Sequence, residues 1–89
     1  MIRRTIHFSG TVQGVGFRYT ARGAAKRYPV TGYVRNLPDG RVELVAEGDA
    51  EVIDQLVSDI NRQMEGYVKK TTAFDSEATA EFKDFSIRP

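Results

Sequence analysis

The chain has 89 residues, a formal net charge of +1, 40 % apolar and 28 % charged side chains, and no cysteine. That length predicts one small domain spanning 1–89, and the near-neutral balance gives no general pull towards nucleic acid or an anionic membrane. Disulfides, thiolate metal sites and cysteine nucleophiles are excluded, and no apolar run reaches the length of a membrane span or signal core, so a cytoplasmic location is expected.

Ile6, Phe8, Gly10 and Val12 share one parity and Thr5, His7, Ser9 and Thr11 the other, which predicts a half-buried first strand. The run Val12-Gln13-Gly14-Val15-Gly16-Phe17-Arg18 follows, with two glycines between that strand and a helix. Consecutive N–H groups in such a loop can converge on an anion, and glycine lets the backbone approach a ligand closely. Arg18 falls in the first helical turn, at the positive end of the helix dipole, where a cation is unfavourable unless an anion lies between them. The loop is either an oxyanion site or a plain strand-to-helix turn. It is not a P-loop, since no lysine follows Gly16, nor a dinucleotide fingerprint, since Tyr19 stands where a third glycine is needed.

Phe17, Ala21, Ala24, Ala25 and Tyr28 lie on one helical face, predicting a helix from about Arg18 to Tyr28 that Pro29 closes. Val30 to Asn36 forms a second strand, and Leu37-Pro38-Asp39-Gly40 a turn in which Pro38 pre-sets φ. Arg41 to Glu47 is the third strand, with Val42, Leu44 and Ala46 on one face and Glu43, Val45 and Glu47 on the other. Asp49 is placed to cap a second helix, whose stripe is Val52, Ile53, Leu56, Val57, Ile60 and Met64 and which Gly66 ends. Tyr67 to Asp75 alternates poorly and gives a weak fourth strand. Phe82, Phe85 and Ile87 mark a last one. The order β-α-β-β-α-β, with an added C-terminal strand, predicts an α+β, ferredoxin-like sandwich. It has an antiparallel sheet of four to five strands, two helices on one face, and the first and third strands central.

Few side chains offer chemistry. Asn36, at the end of the second strand, can position a water or can start the Pro38 turn, the commoner role for Asn. His7, the one histidine, is expected at the surface, and Arg22, Arg35, Arg41, Lys26 and Arg27 as solvated charges. Glu43 and Glu47 share a strand face but lack a pocket signal for acid–base work. No base is positioned for Ser9 or Thr20, and scattered carboxylates with one histidine make no transition-metal set.

Gly10-Thr11-Val12-Gln13-Gly14-Val15-Gly16-Phe17-Arg18-Tyr19 closely resembles the phosphate-loop signature of the acylphosphatase family. Gly32-Tyr33-Val34-Arg35-Asn36-Leu37-Pro38-Asp39-Gly40-Arg41-Val42-Glu43 resembles the family's second signature, at the expected distance. Ala46-Glu47-Gly48 and the closing Phe82, Phe85 and Ile87 match too, so the resemblance covers nearly the whole chain. It implies hydrolysis of a small acyl phosphate to a carboxylate and inorganic phosphate, with no metal or covalent intermediate; apart from the resemblance, no cofactor is expected, and a monomer without nucleic-acid or membrane partners is expected. Arg18 would bind the phosphate, Asn36 would hold the attacking water, and the amides of Gln13, Gly14, Val15, Gly16 and Phe17 would cradle the oxygens. Phosphate or sulfate would be a product-like ligand. The departures are Tyr28-Pro29-Val30-Thr31, where the family more usually has a leucine–glycine join, and a Tyr67 to Ala80 segment more polar than the family's.

Two other classes compete. RNA-recognition modules share the topology, but the third strand here carries no aromatic residue on which a base could stack. A regulatory module could keep the anion pocket without turnover. The presence of both Arg18 and Asn36 favours an enzyme.

Overall fold

A computed structural model describes residues 1–89. Seven elements follow one another: β1 (Ile2–Gly10), α1 (Phe17–Ala25), β2 (Thr31–Asn36), β3 (Val42–Gly48), α2 (Ala50–Gln63), β4 (Val68–Glu77) and β5 (Phe85–Ile87). The sheet order is β4-β1-β3-β2-β5, so β1 and β3 are the central antiparallel pair, as the right-handed crossovers require. Both helices cover the face carrying Ile6, Phe8, Val34, Val42, Leu44 and Ala46, all buried, and this is the expected ferredoxin-like sandwich. Phe17 packs on Phe8 with ring centroids 4.8 Å apart, a contact worth about 0.5–1.5 kcal/mol beyond its area. It anchors the first turn of α1 on β1.

The sheet is mixed rather than wholly antiparallel, because β5 pairs parallel to β2 through Gly32–Phe85, Tyr33–Ser86 and Val34–Ile87. Chain path explains this. β4 lies at one edge, and residues 78–84 cross the helix-free face to the other edge, where β5 enters alongside β2. Seven extended residues reach roughly 23 Å, enough to pass strands spaced about 4.8 Å apart. Phe82 belongs to this crossing and not to the strand; its ring meets Tyr33 edge-on at 5.8 Å.

The crossing also covers the helix-free face of β3. Val45 and Glu47, on the helix-free face, are 4 % and 2 % exposed. Glu47 accepts the N–H groups of Thr79 and Ala80, each at 2.9 Å, and pairs with Arg3 at 2.8 Å. His7 is half-buried, not a surface residue: its Nε2 lies 2.9 Å from Glu43, which also accepts from the Tyr33 hydroxyl and Arg35. Arg35 is thus ion-paired rather than merely solvated. Burial alone would raise the Glu47 pKa, but its backbone and arginine donors outweigh that and hold it at about 2, below the ordinary 4.5.

A depressed folded-state pKa adds stability that is complete above about pH 4.5 and is lost as pH falls towards about 2. Glu47→Gln is therefore expected to lower the urea midpoint at neutral pH, with the gap from wild type narrowing at about pH 3. An equal gap at both pH values would show that the charge is not what Glu47 contributes.

Element ends differ from expectation by a few residues. α1 stops at Ala25, and Arg27 and Tyr28 donate three residues back, to Ala24 and Ala25, in a tightened turn. Pro29 forces this, since it disfavours helical geometry at Tyr28. Asp49 occupies the N-cap position of α2, but its side chain makes no capping bond. β4 runs two residues beyond Asp75 and is almost wholly exposed on its outer edge.

Candidate active site

The loop between β1 and α1 turns twice through left-handed backbone, at Gly14 and Gly16, both with φ near 78°. Gly16 is the N-cap of α1, without any side-chain cap, and the first turn carries no acidic residue. None of the N–H groups from Gln13 to Tyr19 donates to an acceptor within the chain. The positive end of the helix and a run of free donors thus meet at one place.

A concavity of about 120 Å³ lies there, lined by Val12, Gly14, Gly16, Phe17, Arg18, Tyr19 and Asn36. Arg18 and Asn36, nearly twenty residues apart in sequence, share this wall. Arg18 is the one arginine with neither a carboxylate partner nor an aromatic ring beneath it. Arg3, Arg4, Arg27, Arg35, Arg41 and Arg62 are ion-paired, and Arg22 and Arg88 lie over Tyr19 and Tyr33. Asn36 ends β2 opposite Val42, and its side chain makes no hydrogen bond within the chain. The turn is held instead by Asp39, which accepts the Arg41 N–H at 3.1 Å and pairs with its guanidinium at 2.8 Å. The turn-starting role open to Asn36 is therefore not used.

A larger concavity, about 700 Å³, lies between α2 and β4. Its arginine, Arg4, is already paired with Asp54 and Asp75. The smaller hollow is the one that holds an unpaired cation.

The remaining sequence-predicted residues divide. Gly14, Gly16 and Phe17 line the hollow, whereas Val15 packs against the core and Gln13 turns its side chain away to the β2–β3 hairpin. Those side-chain bonds of Gln13 were not signalled by the sequence, where its place in the loop pointed only to a backbone donor. Tyr19, not among the expected site residues, also lines the hollow. It forms part of the rim, is 68 % exposed, and lies 5.3 Å beneath Arg22.

The acylphosphatase family model matches residues 4–87. The chain belongs to the acylphosphatase family. An acylphosphatase of Methylococcus capsulatus is 43 % identical, with 98 % of this chain and 96 % of that protein aligned. The crystal structure of acylphosphatase from Bacillus subtilis superposes with a TM-score of 0.92 at 32 % identity, covering both chains completely. Full-length HypF in its phosphate- and nucleotide-bound form matches with a TM-score of 0.80 at 25 % identity, over 99 % of this chain and 12 % of that one. The chain is thus an enzyme that hydrolyses acyl phosphates.

Proposed function

We propose that this acylphosphatase works without metal, with Arg18 and the loop amides gripping the phosphoryl group and Asn36 holding the attacking water. The observation that carries this is the meeting of an unpaired guanidinium, an unpaired carboxamide and an uncapped helix N-terminus at one hollow. The guanidinium fork and the N–H groups meet charge on the non-bridging phosphoryl oxygens, an electrostatic effect present before substrate arrives. Asn36 accepts a hydrogen bond from the water and orients it in line with the acyl oxygen. The water oxygen bonds to phosphorus as the bond from phosphorus to the acyl oxygen breaks, and that electron pair leaves on the carboxylate. A carboxylate is a weak base, so no strong general acid is needed. The water proton passes to a phosphoryl oxygen of the substrate, and inorganic phosphate results. Residues 1–89 act as one unit, as a cytoplasmic monomer, on small acyl phosphates.

Benzoyl phosphate hydrolysis in excess chelator tests this. Turnover is expected to persist with chelator, while a phosphate monoester such as p-nitrophenyl phosphate is cleaved far more slowly, because its leaving group is a stronger base. Loss of turnover in chelator, or equal cleavage of both, would overturn the reading.

A further inference from the structure

We propose that the side chain of Gln13 is a positioning residue that sets Asn36 against Arg18. Its Nε2 donates to the Leu37 carbonyl at 2.8 Å and to the Arg41 carbonyl at 2.9 Å. Both acceptors are carbonyl oxygens, so the amide nitrogen must face them, and both of its protons are used. Leu37 follows Asn36 directly, and Arg41 closes the same hairpin, where its carbonyl also accepts the Leu37 N–H at 2.8 Å. The glycine loop that leads to Arg18 is therefore tied across space to the strand end that carries Asn36. β1 and β2 are not neighbours in the sheet, since β3 lies between them, so no ladder bond fixes the loop against that hairpin.

The tether is separable from the fold. The Leu37 carbonyl keeps the Gly40 N–H, at 3.1 Å, and the Arg41 carbonyl keeps the Leu37 N–H when Gln13 is removed. The hairpin then loses its link to the loop but keeps its own bonds. The consequence falls on geometry between the two reacting partners, where a displacement of about 1 Å can cost up to about 10²-fold in rate.

The inference rests on the roles proposed for Arg18 and Asn36. Its test is a double-mutant cycle on the full chain with benzoyl phosphate as substrate and inorganic phosphate as inhibitor. Gln13→Ala is expected to lower kcat about tenfold while the phosphate inhibition constant stays within about twofold. In the Asn36→Ala background it is expected to cost nothing further, because the group it positions is gone. Gln13→Glu keeps the shape but cannot donate to either carbonyl, and should lose at least as much as the alanine variant. Multiplicative losses, a phosphate constant that rises as kcat falls, or wild-type kcat in Gln13→Glu would each overturn the tether. An inactive wild-type chain overturns both this inference and the function it rests on, whereas an active wild type with multiplicative losses overturns this inference alone.

Discussion

Arg18→Ala is expected to cut kcat/KM for benzoyl phosphate by at least about 10³-fold and to abolish inhibition by inorganic phosphate. A single oxyanion donor is worth about 10²–10³ in rate, and an arginine on a transferring phosphoryl group about 10³–10⁵. The guanidinium supplies the one full positive charge lining the hollow, so the range for an arginine applies. Arg18→Lys keeps the charge but loses the planar fork and should recover only part of the loss. Stability moves the other way. Arg18 makes no ion pair and stands in the first turn of α1, where a cation opposes the helix dipole by about 0.3–1 kcal/mol. The alanine variant should therefore unfold at an equal or slightly higher urea midpoint. A kcat/KM within tenfold of wild type would remove Arg18 from the mechanism, and a lowered midpoint would show that it supports the fold instead.

That opposition explains why the candidate site was legible in the sequence. An arginine at N2 of a helix with no acidic neighbour conflicts with helix electrostatics, and an unresolved conflict in a sequence marks function rather than folding. The two glycines were legible for the same reason: a helix entry whose backbone is left-handed twice needs residues without Cβ. The core was legible through period. Ile6 and Phe8 alternate with polar residues, and Ile53, Leu56 and Ile60 recur at helical spacing; all five are fully buried.

The helix-free face was not legible, and the reason is physical. Parity assigns Glu43, Val45 and Glu47 to the side away from the helices, but it cannot reveal that residues 78–84 will return over that side. Their composition is ordinary for a solvent loop, and their function as a cover depends on contacts with Glu47 and Tyr33 more than thirty residues away. His7 and Arg35 were placed at the surface because their meeting at Glu43 depends on strand register, each standing directly opposite it on β1 and β2. β4 was faint because an edge strand with little covered surface carries almost no alternation, and its pairing is set by the backbone of β1 rather than by its own side chains. The Gln13 tether was invisible because both of its acceptors are backbone carbonyls, which no residue type signals.

Asn36→Ala is expected to lower kcat about 10²-fold and leave the inorganic phosphate inhibition constant within about twofold of wild type. The split follows from which partner each group touches. In the proposed mechanism Arg18 and the amides hold the phosphoryl group in the ground state as well as the transition state, so their loss appears in binding as well as in rate, whereas a residue that orients water acts only once attack begins. The backbone at Asn36 is fixed by pairing with Val42 and its side chain makes no bond within the chain, so truncation leaves the strand end in place and the urea midpoint unchanged. Asn36→Asp tests the same point through charge. It matches the shape but sets a carboxylate beside a phosphate, so it should weaken phosphate inhibition, which alanine does not. If Asn36→Ala instead raised the phosphate constant and left kcat intact, Asn36 would belong to the anion cradle, and the attacking water would need another holder.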